Sequence, residues 1–118
     1  MRSDYVQYQD ERNWSEQMKI QREDTDTKGR YVLIQDGSDA HAELTFSKVG
    51  RSMIIIDHTE VPEEFRGTGA GLKLVEKAVE DARAMGIKIM PLCPFAAAQY
   101  KRHPEWADTL KQKGVPSS

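Results

Sequence analysis

The sequence has one cysteine in 118 residues, no apolar run near the roughly 20 residues that a membrane-spanning helix needs, and no strong excess of either charge. Each shortage excludes something. A single thiol, Cys93, cannot form an internal disulfide, and this cysteine usage fits a reducing compartment. The first residues, MRSDYVQYQDERNW, contain no apolar stretch of the kind found in a secretory signal, so a cytoplasmic protein with no membrane partner is expected. The formal net charge is −2, with Lys and Arg interleaved among Asp and Glu, which gives no basic footprint for nucleic acid. A small anionic ligand is still compatible with that balance. Three scattered histidines and one cysteine offer no metal-ligand spacing, so no metal is expected.

What is present fits one domain, with 38% apolar and 31% charged residues. Residues 1–28 are polar, with Trp14, Met18 and Ile20 scattered among charges, and TDTKG follows as a turn signal. This segment reads as a loosely held N-terminal extension with a short helix around 12–20. The globular domain is expected over 29–110, with a flexible tail over 111–118. RYVLIQ is β-rich and ends in DGSD; HAELTFS alternates, with Ala42, Leu44 and Phe46 on one face; KVGR then turns the chain into SMIIIDHTEV, predicting an antiparallel hairpin. From Leu72 the period changes to three and four. Leu72, Val75, Ala78, Val79, Ala82 and Met85 make the apolar stripe of an amphipathic helix that Gly86 ends. IKIMPLC reads as a short strand, placed at an edge or bent near its end by Pro91; Pro94 opens a last helix, FAAAQYKRH, and Pro104 stops it. The order is strands, helix, strand, helix, an α/β (α+β) arrangement.

The chemistry concentrates in FRGTGAG, where glycines 67, 69 and 71 precede the long helix. A helix start presents unpaired backbone N–H groups and a partial positive charge, and residues without a Cβ let an anion approach them closely. The stretch therefore reads as a phosphate cradle, with tight packing as the alternative. Two common nucleotide motifs fail: no Gly-Lys-Ser/Thr closes the loop, and the glycines are not spaced as G-x-G-x-x-G.

The pattern Arg66-x-x-Gly69-x-Gly71 resembles the acyl-coenzyme A pyrophosphate motif of the GNAT acetyltransferase superfamily. The resemblance extends through His58-Thr59-x-Val61-Pro62, Pro91-Leu92-Cys93-Pro94-Phe95 and His103-Pro104-Glu105, which together look like a small, minimal member of that superfamily. It implies a mixed, mostly antiparallel sheet with two main helices, and acetyl-coenzyme A held where two parallel strands, 52–61 and 87–93, splay apart. On this basis Val61, Arg66, Gly67, Thr68, Gly69, Ala70, Gly71, Cys93 and Arg102 are expected to contact the coenzyme. Glu60, Glu63 and Glu64 lie close in sequence, so phosphate binding would rest on backbone N–H groups and Arg66.

Three residues are the catalytic candidates. Cys93 stands where many relatives have Asn; it either becomes acylated or fills space. His58 is in phase with Ile54 and Ile56, so alternation puts it on their face, within reach of Cys93, to take a proton from the thiol or from an amine. Tyr100, seven positions after Cys93, matches a tyrosine that protonates the departing thiolate, although it would be a core residue by default. His41 and His103 read as an exposed strand start and a helix end. The expected activity is acetyl transfer from acetyl-coenzyme A to an amine, directly or through Cys93, by a monomer or weak homodimer. No acidic funnel for a polyamine is visible in the sequence. The alternative is a coenzyme A binding or protein-interaction module with little catalysis, and a third reading, a purely structural domain, requires the glycine loop to serve packing alone.

Overall fold

The computed structural model describes residues 18–37 and 39–111. Strands β1 (Met18–Asp24), β2 (Lys28–Gln35), β3 (His41–Val49) and β4 (Met53–Glu60) form an antiparallel meander. Helix α1 (Ala70–Met85) then carries the chain to β5 (Lys88–Pro91), which pairs with β4 in parallel. Short turns suffice for the antiparallel neighbours, whereas the parallel pair needs the helical crossover. Helix α2 (Pro94–Arg102) follows, and a 3₁₀ segment, Pro104–Thr109, closes the described chain. Among the described residues no helix is long and apolar enough to cross a membrane.

The expected extension does not stay loose through residue 28. Met18–Asp24 is a full strand, in register with β2 from Met18↔Gln35 to Asp24↔Gly29. Alternate residues Met18, Ile20 and Arg22 are half-buried, so the period-two signal was present, with a charged residue at its third inward position. Arg22 can turn inward because its guanidinium lies 5.4 and 5.1 Å from the ring centroids of Tyr31 and Phe46 and donates to Tyr31 Oη at 2.8 Å and Asp81 Oδ2 at 3.2 Å. This joins β1, β2 and α1 in one polar cluster. The rest of the expected short helix, with Trp14, lies outside the described residues.

Tyr31, Leu33, Ala42, Leu44, Phe46, Ile54 and Ile56 form the inner face of the sheet, all buried, and α1 covers them with Leu74, Val75, Ala78, Val79 and Ala82. The helix begins two residues before Leu72, and its stripe runs through Leu74 in place of Leu72. Met85, expected in the stripe, is 56% exposed beside the terminating Gly86. β5 is the edge strand, and Pro91 is its last residue, where a missing N–H does least harm. Pairing stops at Ile56↔Pro91, and the N–H groups of Leu92 and Cys93 both converge on the Ile56 carbonyl at 3.2 and 3.1 Å. β4 continues to Glu60 without β5 beside it, so the two parallel strands part there.

Candidate functional site

A β-bulge decides which side chains reach this gap. In β3 and β4, Phe46 pairs with Ile56 but Thr45 pairs with His58, so Asp57 is the extra residue on β4. The inserted residue reverses the alternation. Past it, Thr59 pairs with fully buried Leu44 and takes the inner face, while His58 sits opposite Thr45 on the outer face and is exposed. Asp57 also lies outward, held by Ser47 Oγ at 2.9 Å. His58 therefore does not share the face of Ile54 and Ile56. Thr59 takes the place expected for it, with Oγ1 accepting from Cys93 Sγ at 3.4 Å.

Cys93 caps the start of α2, 5% exposed, with its backbone tied to Ile56. Tyr100 is also buried, but its hydroxyl meets Thr109 Oγ1 at 2.7 Å. Thr109 donates its only hydroxyl proton to the Trp106 carbonyl at 2.8 Å, so Tyr100 must be the donor to Thr109. Burial raises the Tyr100 pKa, which keeps the phenol protonated. The Tyr100 proton is directed into the 3₁₀ segment, where Trp106 packs edge-on at 5.6 Å, and no described contact joins it to Cys93. His103 stacks on Trp106 at 4.2 Å and pairs with Glu105, a helix-end role as expected.

The glycine loop does come together with α2. Val61, Arg66, Gly67, Gly69, Ala70, Gly71 and Arg102 line one cleft of about 440 Å³, joined by Phe65, Leu72, Phe95 and Gln99. The glycines play different parts. Gly67 and Gly69 have φ of 82° and 78°, the left-handed region, and Gly69 is the N-cap of α1, where no side chain caps the first N–H groups. Gly71 is helical; a Cβ there would lie 2.7 Å from Phe95 Cζ and 3.3 Å from Val61 Cγ2. Packing explains Gly71, whereas the loop conformation explains the other two. Thr68 flanks the cleft, its hydroxyl donating to the Phe65 carbonyl at 2.6 Å.

Two residues near this loop carry no signal in the sequence alone. Lys73 turns back over the loop, with Nζ 3.3 Å from the Thr68 carbonyl, and adds a cation that only the first turn of α1 could place there. Gln99 is 7% exposed among the cleft residues. Arg66, by contrast, is 78% exposed and pairs loosely with Glu63 at 3.2 Å, so it contributes little to the apo fold.

Charge separates this cleft from the other cavities. One of about 350 Å³ lies at the C-terminal end of β4, ringed by Asp39, His41, Glu43, Glu60 and Glu64. Its four carboxylates, distant in the sequence, are an acidic cluster that the sequence reading did not anticipate, and they oppose a polyanion. A larger one, about 550 Å³, lies against the β1–β2 turn, where Arg30 pairs with Glu23 at 2.8 Å and Asp24 with Lys48 at 2.9 Å. Among the described residues, the glycine-loop cleft joins an uncapped helix start to Arg66 and Arg102, with Lys73 folded over the same loop. Among the described residues no group is arranged to hold a metal ion.

Known proteins resemble this chain in sequence and in fold. The chain is 29% identical over 84 residues to Protein NATD1 of Xenopus tropicalis, covering 70% of this chain and 77% of that one. It is 26% identical over 85 residues to Protein NATD1 of Gallus gallus, covering 72% and 77%. The solution structure of a GCN5-like putative N-acetyltransferase from Staphylococcus aureus superimposes with a TM-score of 0.58 at 29% identity, covering 83% of this chain and 96% of that one. The profile of the GCN5-related N-acetyl-transferase family matches residues 30–109, from the middle of β2 to the end of the 3₁₀ segment. With that match over β2 to β5, the glycine loop and both helices, this chain belongs to the GCN5-related N-acetyltransferase family.

Proposed function

We propose that the protein binds acetyl-coenzyme A in the cleft between the glycine loop and α2 and transfers the acetyl group to an amine. The observation that carries this is the start of α1: an uncapped helix N-terminus behind two left-handed glycines, opening into a cleft that also holds Arg102. The first-turn N–H groups and the helix dipole favour a pyrophosphate there, and Arg66, Lys73 and Arg102 add charge. Acetyl-coenzyme A supplies the acyl group already activated as a thioester.

The chain's own part in the chemistry lies where β4 and β5 separate. Beyond Ile56 the β5-facing edge of β4 has no strand beside it, so its backbone N–H groups are available to the thioester carbonyl and to the negative charge it gains under attack. Cys93 and Thr59 bound this end. The Cys93 thiol donates to a neutral hydroxyl and has no imidazole beside it, since His58 faces outward, and Tyr100 is engaged with Thr109. Direct attack by the acceptor amine is therefore favoured over an acetyl-Cys93 intermediate. The Cys93 side chain shapes the pocket.

The test combines calorimetry with coenzyme A and intact mass after incubation with acetyl-coenzyme A, before and after a panel of primary amines is added. Binding, coenzyme A release that depends on an amine, and no protein adduct are expected. A folded protein that binds no coenzyme A contradicts the proposal; binding without turnover on any amine supports the non-catalytic alternative. A single acetyl adduct, present in wild type and absent in Cys93→Ala, restores the covalent route.

A further inference from the structure

Gln99 is an anomaly in an otherwise apolar or paired interior. It is 7% exposed, yet no protein group among the described residues hydrogen-bonds its side-chain amide. Buried amides are nearly always paired, because burying one without a partner costs free energy that a nonpolar residue of the same shape would not. The position is on the cleft wall: Phe95, Gln99 and Arg102 are spaced i, i+4 and i+7 on α2 and line the same cavity.

We propose that Gln99 is a specificity-determining residue that hydrogen-bonds the neutral, amide-bearing pantetheine arm of the coenzyme. The inference rests on the acetyl-coenzyme A reading above. The order along α2 supports it. Cys93 heads the helix beside the gap between β4 and β5, and Arg102 is its last residue. At 1.5 Å per residue Gln99 lies about 9 Å along the axis from Cys93 and about 4.5 Å short of Arg102. A ligand with its thioester near the gap and its phosphates near Arg102 and the glycine loop must pass its middle portion over Gln99. In coenzyme A that portion carries two uncharged amides, and a primary amide, with two N–H donors and a carbonyl acceptor, complements either of them.

A structural role and a ligand role make opposite demands on the apo protein. If Gln99 serves the fold, its replacement by a nonpolar residue lowers stability. If its amide waits for a ligand, Gln99→Met, which keeps length and removes the unpaired polar group, melts at the same temperature as wild type or higher.

Calorimetry on wild type, Gln99→Met and Gln99→Glu, each titrated with coenzyme A and with ADP, tests this. Both variants should bind coenzyme A about tenfold more weakly, the worth of roughly one net hydrogen bond. For Gln99→Met, ADP affinity should change less than twofold, because ADP lacks the arm, and thermal melting should show no loss of stability. Wild type that binds coenzyme A while Gln99→Met binds it equally well overturns the inference and leaves the proposed function standing. A Gln99→Met that loses ADP and coenzyme A equally, or that melts markedly lower, also overturns it. Wild type that binds neither ligand removes the acetyl-coenzyme A reading itself and the inference with it.

Discussion

Thr59 Oγ1 lies 3.4 Å from Cys93 Sγ, at the point where β4 and β5 stop pairing, and the bulge at Asp57 put it there. Without that extra residue, strict alternation would have delivered His58. One inserted residue thus exchanged an imidazole for a hydroxyl beside the only thiol.

Acetyl transfer should therefore respond to Thr59 and not to His58. Steady-state kinetics on His58→Ala should show kcat/KM within about twofold of wild type, the scale of a surface change. Thr59→Val removes the acceptor for Cys93 and should lower kcat/KM about fivefold to tenfold, the effect of one lost hydrogen bond. A His58→Ala variant that loses activity a hundredfold would contradict the placement.

Gly71 should resist larger residues, for a reason of packing. Gly71→Ala places a methyl 2.7 Å from Phe95 Cζ and 3.3 Å from Val61 Cγ2, so the Phe95 ring must move aside; the net loss should be about 1 kcal/mol, the overpacking cost less the helix propensity that Ala gains over Gly. Urea denaturation should show that loss, and Phe95→Leu in the same chain should recover part of it. At Gly69 the φ of 78°, and not a collision, sets the cost, about 1 kcal/mol for Gly69→Ala, and Phe95→Leu should give no recovery.

β1 should be indispensable to the fold. Removing residues through Asp24 takes away Met18, Ile20 and the Arg22 contacts to Tyr31 and Asp81, and should leave a chain without a cooperative thermal transition. Arg22→Ala alone takes the cation from the Tyr31 ring and leaves Asp81 with Lys77, at 3.5 Å, as its cation, and should cost about 1–3 kcal/mol by urea titration. A truncated chain that melts like wild type would show that the sheet is complete from β2.

The same cluster sets the response to pH at both ends. Hydrogen bonding to Arg22 and then Lys48, against the opposing effect of burial, lowers the Asp24 pKa from 3.8 to about 2. Its folded value is depressed, so its stabilising share is present above about pH 3.8 and is lost as pH falls toward 2. Asp24→Asn should flatten the stability curve in that window. Burial, reinforced by Asp81, raises the Tyr31 pKa above its ordinary 10.0, so the neutral phenol is favoured in the fold and stability falls as pH rises past 10.0. Tyr31→Phe should remove that alkaline loss, read from melting temperatures across the range.

Much of the fold was legible because local signals agreed with one another. The three- and four-residue period of α1, the Gly86 stop, the Pro94 start and the edge position implied by Pro91 each correspond to an observed feature. What stayed hidden depends on partners distant in sequence. Arg22 looked solvated because the rings and carboxylate that receive it, Tyr31, Phe46 and Asp81, lie elsewhere in the chain. The bulge at Asp57 leaves no mark in a run of β-branched residues, so His58 was placed by a period that the backbone does not keep. Asp39, Glu43, Glu60 and Glu64 surround one cavity only after β3 and β4 pair. Gln99 reads as an ordinary helix residue until its burial is known.

The most direct measurement is a titration of the isotope-labelled protein with acetyl-coenzyme A, followed by the backbone amide signals of every residue. The largest shifts should fall at Gly67, Gly69, Ala70 and Gly71, with further shifts at Gln99 and Arg102 along α2, and little change at His41, Glu43 or the β1–β2 turn. Saturable shifts confined to the acidic cavity or to the outer sheet face, with the glycine loop unmoved, would contradict it.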